Sequence, residues 1–231
     1  VWPASKYKLQ NENHLHRLKR YIEARAFEYR GRGAEIDGHT IDVLVISQLA
    51  VEDALKELSL PENVDTAHFN AVEGIDKWKG VACLISIGRT MASPEDVELM
   101  AEVLTGTIVP HNDNFEGGWY PREIAGIRVK GAGDNGRPTL AETHPNEVAE
   151  AVRWSTSEAG LIQAIGRGRA VNRTEADPLQ VDIISTLPLP LEVDEVLLKD
   201  AIEPNPFTVM AARGLITDEK ATKGKWPVIQ K

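Results

Sequence analysis

Two glycines stand among arginines where a segment with helical periodicity ends. The stretch reads Gln163-Ala164-Ile165-Gly166-Arg167-Gly168-Arg169, and Arg173 follows it closely. Glycine lets a backbone come close to a ligand, and guanidinium groups bind phosphate oxygens through paired hydrogen bonds. This pattern predicts a site for an anion such as a phosphate group. The alternative is a solvated basic helix end, which the helix dipole favours.

The same stretch resembles motif VI of superfamily 2 helicases, whose pattern is Q-x-x-G-R-x-x-R. Gln163, Gly166 and Arg167 match it, whereas alanine stands at the position of the last arginine. In that family the arginines reach across an interdomain cleft to the γ-phosphate of ATP. The resemblance therefore implies that Arg167 is an arginine finger and that Gln163 senses the nucleotide. It leaves open whether Arg169 or Arg173 supplies the second charge, and the catalytic set that it implies is Arg167, Arg169 and Gln163.

Two further segments resemble helicase motifs in the expected order. Residues 43–48, a hydrophobic strand that ends in Ser47 and Gln48, are similar to motif IV, the first strand of the second RecA-like domain. Residues 68–76 end in Gly74-Ile75-Asp76 and resemble motif V, in which a G-x-D or G-x-N turn precedes a strand. In that family the turn touches both the nucleic-acid backbone and the nucleotide.

The resemblance implies two sets of binding residues. Those expected at ATP are Gly74, Asp76, Gln163, Gly166, Arg167 and Arg173. Those expected at nucleic acid are Ser47, Gln48, His68, Asn70 and Arg89. The G-x-x-x-x-G-K-[ST] loop that cradles phosphates and the acidic Mg²⁺ motif are missing from the sequence. ATP and Mg²⁺ would therefore be held mainly by another domain, and this chain alone would be an inactive part of an ATP-dependent hydrolase.

The elements that must position these residues alternate between strands and helices. Continuous apolar runs indicate strands buried on both faces of a parallel sheet, at residues 41–46, 66–69, 81–87 and 181–185. Helical periodicity predicts helices at residues 15–30, 50–58, 94–104, 145–154, 156–165, 193–199 and 207–213. This alternation predicts a three-layer α/β fold with a mostly parallel sheet and helices on both faces. The resemblance implies that the fold is RecA-like, of the P-loop NTPase type.

Residues 107–143 interrupt the alternation with Gly, Asn, Asp and Pro around two short extended pieces, 123–129 and 139–143. This pattern predicts a β-hairpin insertion, which would account for the about 90 residues between the motif V and motif VI segments. The expected organisation is an N-terminal helix and linker, the second RecA-like domain with its insertion, and C-terminal helices with a tail. These parts span residues 1–37, 38–190 and 191–231.

Residues 131–136 spell G-x-G-x-x-G, the dinucleotide-binding fingerprint. That fingerprint binds pyrophosphate only where a helix begins after a strand. Pro138 and the β-prone residues after it argue against a helix, and Asn135-Gly136 is a favoured hairpin turn. An oxidoreductase with a nucleotide cofactor is therefore a third and weaker hypothesis.

Composition excludes several classes of protein. The charge of −9, from 26 basic and 35 acidic residues, argues against binding nucleic acid by bulk positive charge. Cys83 has no partner for a disulfide, and the six scattered histidines form no recognisable zinc spacing, so no metal site is expected.

No apolar run approaches the roughly 18 residues of a membrane span, and no secretory signal is evident, so a cytoplasmic location is expected. The start at Val1 suggests part of a longer protein.

The sequence thus predicts the second motor domain of an ATP-dependent DNA helicase, of the primase-helicase type found in phage and plasmid replication. Its expected partners are an N-terminal RecA-like domain and single-stranded or duplex DNA, with no membrane. The alternative is a non-catalytic helicase-like module that binds nucleic acid or protein. The acidic net charge and the missing phosphate loop favour this alternative if the chain is complete.

Overall fold

The computed structural model describes residues 12–72, 74–111, 119–133, 136–198 and 203–215. Its strands are β1 (Ala34–Ile36), β2 (His39–Ile41), β3 (Val43–Ser47), β4 (Val64–His68), β5 (Cys83–Ile87), β6 (Arg122–Val129), β7 (Arg137–Glu142), β8 (Gln180–Ile184) and β9 (Glu192–Val193). Its α-helices are α1 (Glu12–Glu28), α2 (Leu49–Glu57), α3 (Pro94–Thr105), α4 (Glu147–Thr156), α5 (Glu158–Ile165) and α6 (Pro206–Ala212). Short 3₁₀ turns occupy Phe69–Ala71, Gly166–Gly168 and Ala170–Asn172.

A four-stranded parallel sheet in the order β4-β3-β5-β8 forms the centre of the fold. Every residue of β3 and β5 is buried, as the continuous apolar runs predict. Successive side chains of a strand point to opposite faces, and two clusters follow from this. Leu44 and Ile46 pack with α5 on one face, whereas Val43 and Val45 pack with α1 and α2 on the other. The predicted α/β fold with a parallel central sheet between helices is confirmed at this level.

The connections that leave β3 and β4 place the next strands on opposite sides of β3, so the sheet has a topological switch point between β3 and β5. After β3 the chain passes through α2 to β4 on one side, and then crosses to β5 on the other side. Crevices at such points, outside the carboxyl ends of the strands, are the usual ligand sites of open α/β sheets. At this switch point the Gln48 amide Nε2 donates a hydrogen bond to the Arg89 carbonyl oxygen over 2.7 Å.

A hairpin formed by β1 and β2 was not anticipated from the sequence. Asp37 and Gly38 form its two-residue turn, with φ of 51° and 81°, and Asp-Gly is a favoured pair for such turns. The continuous strand expected over residues 41–46 is therefore divided at Asp42. The buried Asp42 carboxylate accepts hydrogen bonds from the backbone N–H groups of Gly31 and Gly33, over 3.0 and 2.7 Å, and so ties the hairpin to β3.

The inserted hairpin is present as predicted. Strands β6 and β7 pair antiparallel from Arg122↔Glu142 to Ile127↔Arg137. The helix expected at residues 193–199 is wrong over residues 193–198, which the structure describes. Val193 instead belongs to β9, which adds to β6 in parallel, and residues 194–198 are not helical. The pairing of the β9 backbone with β6 outweighs the local helical periodicity of this short segment.

Candidate functional site

The end of α5 carries the arginines that the sequence singles out. The helix ends at Ile165, a 3₁₀ turn follows, and Arg169 adopts a left-handed backbone with φ of 52°. Gly168 is buried, and a Cβ atom at this position would lie 2.4 Å from Leu179 Cδ2. Only glycine therefore lets the backbone pass so close to the core. Gly166, which the helicase pattern emphasises, is exposed and has no atom within 4 Å of an added Cβ.

Asp76 and Arg169 form an ion pair that joins the two motif-like segments. Both side chains are partly exposed to solvent. The hydrogen bond from Arg169 lowers the pKa of the Asp76 carboxyl below its ordinary value, and the positive charges of Arg169, Arg167 and Lys79 lower it further. Gly74, two residues earlier, has φ of +72°, which glycine adopts without strain. The carboxylate is thus paired with Arg169 and lies within the influence of the positive charges of Arg167 and Lys79.

Arg167 lies near this ion pair, and its positive charge contributes to the lowered pKa of Asp76. Its side chain is half-buried, and its Nε atom is buried without a hydrogen-bond partner. Within the described part of the chain, no carboxylate pairs with it. A buried donor without a partner carries a desolvation cost, which an anionic oxygen could offset. Because the Nε atom is itself buried, an anionic oxygen could reach it only after the Arg167 side chain moves.

Arg173 lies in a different environment. One of its terminal nitrogens donates to the Val81 carbonyl oxygen over 2.5 Å, and another pairs with Asp177 Oδ2 over 2.8 Å. These bonds anchor Arg173 just before β5. Arg169 and Arg173 were the two candidates for the second positive charge beside Arg167. Of these two, Arg169 is the one that pairs with Asp76. Gln163 is exposed on the surface of α5.

The residues expected at nucleic acid gather at the carboxyl edge of the central sheet. Ser47 and His68 are register partners at the ends of β3 and β4, and Asn70 follows in an exposed turn. Ser47 is fully buried, whereas His68 Nδ1 lies 2.8 Å from Glu52 Oε2. These residues are next to one another in the fold.

Arg89 extends this carboxyl edge toward the inserted hairpin. Its guanidinium pairs with the buried carboxylate of Glu142, which Arg122 also approaches, at 3.3 Å. Gln48 contacts the backbone of Arg89, as described above. The carboxyl edge is therefore continuous with the base of the hairpin. Arg122 was not singled out from the sequence, although its position at the start of a predicted strand beside an inserted hairpin was visible.

The G-x-G-x-x-G segment does not have the surroundings that dinucleotide binding needs. Gly131 and Gly133, with φ of 76° and 57°, lie in the connection between β6 and β7, and the next element is a strand. No helix N-terminus follows that could bind pyrophosphate. Asp134 and Asn135, including half of the expected Asn-Gly turn, lie outside the described residues.

An open groove of 590 Å³ lies elsewhere, between α1, the connection before β4 and the end of α6. Glu23, His39 and Asn63 are among its lining residues, and none of the candidate site residues takes part. Among the described residues, no three His, Cys, Asp or Glu side chains form a group that could hold a metal ion. In the same ranges, every helix is too short or too polar to cross a lipid bilayer.

The chain matched no protein-family model, no curated protein and no solved structure.

Proposed function

We propose that this chain is the second RecA-like motor domain of a superfamily 2 nucleic-acid helicase. The observation that carries the proposal is the ion pair of Arg169 with Asp76, which brings together residues about 90 positions apart in the sequence. In the helicases that this chain resembles, the motif V turn touches both the nucleotide and the nucleic-acid backbone, so a contact between the motif V and motif VI segments fits the proposal.

In this proposal the ATP site lies between this chain and an N-terminal RecA-like domain that holds ATP and Mg²⁺. ATP supplies the phosphoryl group that is transferred to water. Arg167 stabilises the negative charge that develops on the transferred group, and such an arginine contributes a factor of about 10³ to 10⁵ in rate. Arg169 is held in place by Asp76 and adds a second positive charge. Gln163 and Gly166, both exposed, contact the nucleotide as the domains close.

The nucleic-acid side of the proposal uses the carboxyl edge of the sheet. Asn70 is exposed there, and His68 and Gln48 are partly exposed. Ser47 is buried, so it contributes through its backbone and not through its hydroxyl. Residues 69–76 run from this edge to Asp76, which gives the proposed motor a short covalent path between its two sites. Movement of Gly74 and Asp76 on cleft closure therefore reaches the bound strand.

The alternative, a non-catalytic interaction module, is favoured by one observation. Helix α3 leaves large apolar side chains exposed, with exposed fractions of 60% for Leu99, 74% for Val103 and 68% for Leu104. Exposed apolar patches on soluble domains often mark protein interfaces. A module of this kind would bind its partner equally well with or without ATP, whereas a motor domain would not.

The proposal is tested by replacing Arg167 in the protein that joins this chain to its ATP-binding domain. Arg167→Ala should lower the turnover number for ATP hydrolysis by about 10³-fold or more, because the transition-state charge loses its counter-charge. Arg167→Lys should recover little of this loss, because lysine lacks the planar fork of the guanidinium. Affinity for single-stranded DNA should stay within about twofold in both variants.

Arg32→Ala is the matched control, because Arg32 is an exposed arginine where α1 leads into the β1–β2 hairpin and is not one of the candidate site residues. It should leave ATP turnover unchanged. Wild-type turnover in Arg167→Ala would remove the assignment of the arginine finger and, with it, the proposed function.

A further inference from the structure

Helix α3 turns one side inward and leaves large apolar side chains on the opposite side. On the inner side, Val97 and Ala101 are buried in a small apolar cluster with Ala149 of α4. The outer side chains are apolar and each more than half exposed, and we call them the α3 face: Leu99, Met100, Val103 and Leu104. Single exposed apolar residues are ordinary, whereas a contiguous group of large ones marks a protein or membrane interaction site.

The α3 face is built like one half of a helix–helix contact. Residues four apart lie next to each other along a helix. Leu99 with Val103 and Met100 with Leu104 therefore form two apolar rows. The groove between such rows accepts the side chains of a second helix, and the flexible methionine adapts to partners of different shape. The shape of the face thus suits an amphipathic helix.

Carboxylates border the α3 face. Glu95 and Asp96 are exposed about one turn before Leu99, and Glu102 is partly exposed. Glu95 and Glu102 are seven residues apart, which places them on the same side of the helix. Residues 90–121 include six acidic residues and no lysine or arginine. The sequence around the face therefore supplies negative charge only.

Cations do not neutralise this border within the described part of the chain. Asp96 Oδ2 accepts a hydrogen bond from the Ser93 hydroxyl, and Glu102 Oε1 accepts one from the Val109 backbone N–H, each over 2.9 Å. Both donors are neutral groups, and the carboxylate of Glu95 forms no ion pair in the same ranges. The border therefore keeps its negative charge.

We propose that the α3 face binds an amphipathic helix, rich in lysine or arginine, of a partner protein. The apolar side of that helix packs between the two rows, and its cations pair with Glu95, Asp96 and Glu102. Apolar helical surfaces bind partner helices in this way, through anchors spaced three and four residues apart. The negative border steers a cationic segment to the face.

The charge of the border disfavours the other occupants that an apolar surface could have. A nucleic-acid strand or an anionic membrane would bring further negative charge against the carboxylates. A second copy of the chain would bring a border of the same sign, and each copy has a net charge of −9. A cationic segment is the occupant that the charges favour.

The test measures binding of the 231-residue chain to a fluorescein-labelled amphipathic peptide of about 14 residues, with leucines on one helical side and lysines on the other. A second peptide carries glutamate at every lysine position. The lysine peptide should bind about tenfold or more tightly, because like charges across an interface are unfavourable. Raising the salt concentration from about 0.05 M to about 0.5 M should narrow this difference, because exposed charges are screened.

Two double variants separate the apolar and the charged contributions. Leu99→Ser with Val103→Ser should weaken binding of the lysine peptide about tenfold or more, because the apolar area buried in the complex is lost. Glu95→Gln with Glu102→Gln should weaken binding severalfold at low salt, and this loss should disappear at high salt.

Matched variants alter the same kinds of side chain elsewhere on the surface. Ile124→Ser with Leu140→Ser replaces an apolar pair on the β6–β7 hairpin, with exposed fractions of 84% and 55%. Glu57→Gln with Glu62→Gln replaces two exposed carboxylates around the connection from α2 to β4. Both control variants should bind the lysine peptide like the wild type. The melting temperatures of all four variants should stay close to that of the wild type, because the altered side chains lie at the surface.

Three results would overturn the inference: no preference of the wild type for the lysine peptide, unchanged binding in the α3 variants, or a wild-type dimer that Leu99→Ser with Val103→Ser dissociates in sedimentation equilibrium. The last result would assign the α3 face to a second copy of the chain. A docking face on α3 is compatible with a motor domain and with a non-catalytic module, so these outcomes are independent of ATP turnover in Arg167 variants.

Discussion

Asp76 is the residue on which the arginine site depends, and its ionisation can be measured directly. Its exposed carboxylate has a pKa held below the ordinary value, first by the hydrogen bond from Arg169 and then by nearby positive charges. A carboxyl whose pKa is depressed by folding stabilises the folded state above its unfolded pKa, and this contribution is lost as the pH falls through the folded pKa. Because the Asp76 side chain is largely exposed to solvent, the effect on stability is small, and the titration itself is the better measurement.

We expect the side-chain carboxyl carbon of Asp76 to titrate, by NMR, below the ordinary aspartate value of about 3.9. In Arg169→Gln the pKa should rise, because the first cause of the shift is removed. Arg173→Gln should leave it unchanged, since Arg173 is bound to Val81 and Asp177 instead. An equal rise in both variants would mean that the pairing of Asp76 with Arg169 is not specific.

The two glycines beside Arg167 differ in what the fold requires of them. Gly168→Ala should destabilise the protein by about 1–3 kcal/mol, because the new methyl group would overlap Leu179 in a packed region. Gly166→Ala meets no neighbouring atom and has a helical φ of −58°, so its free energy of unfolding should match or slightly exceed that of the wild type. Urea denaturation measures both, and equal losses would contradict the packing described for Gly168.

Helices α4 and α5 are joined by an arginine that is almost completely buried. Arg153 pairs with Glu150 Oε2 and with Glu158 Oε1, each over 2.7 Å, and its own side chain is 2% exposed. Burial opposes its charge, yet the pKa of Arg153 is raised above the ordinary value by the hydrogen bonds that it donates to these carboxylates and by their negative charges. The pair therefore holds α5, and so Arg167, in its orientation relative to α4.

Removing this arginine should have a large effect, because it would leave the buried Glu158 carboxylate uncompensated. Arg153→Met should lower the free energy of unfolding by about 3–5 kcal/mol. Lys56→Met breaks a pair with Glu52 in which the lysine side chain is 57% exposed, and it should cost at most about 1 kcal/mol. Chemical denaturation of both variants checks this difference. Similar losses in the two would mean that burial of Arg153 does not carry the effect.

The sequence was most informative for elements with strong local signals. Ser93 directly before Pro94 is a typical N-cap pattern, and its hydroxyl accepts the backbone N–H of Asp96 over 3.2 Å. Gly214 has the left-handed backbone typical of a glycine that follows a helix, here α6. The buried strands were predicted because a parallel strand covered on both faces must be continuously apolar. These features depend on a few neighbouring residues.

Features that depend on distant contacts could not be predicted in the same way. Strand β9 forms because Glu192 and Val193 pair with the edge of β6. No local sequence pattern predicts this pairing. The pairing of Arg169 with Asp76 requires the loop before β5 and the end of α5 to meet, which spacing alone does not give. The Asp37-Gly38 turn is different, because its signal was present in the sequence and the continuous apolar run after it was given more weight.

At the scale of the whole molecule, two groups of candidate residues occupy separate regions of one sheet. The edge with Gln48, His68 and Arg89 lies at the carboxyl ends of the strands, and the Asp76–Arg169 pair lies beyond the end of α5. Lys77 and Trp78 fasten the segment between them to Asp65, over 3.0 and 2.6 Å. The connection is therefore short and anchored, as a link between nucleotide and strand binding would need to be.

The central claim is that this molecule completes an ATP site whose other half belongs to a partner domain. The most direct measurement is to sequence the coding region upstream of the codon for Val1, together with any neighbouring reading frame. The account predicts a segment that encodes a strand, a G-x-x-x-x-G-K-[ST] loop that leads into a helix, and an acidic motif for Mg²⁺. A genomic region that encodes no such domain would contradict the motor assignment and leave the non-catalytic binding module as the better account.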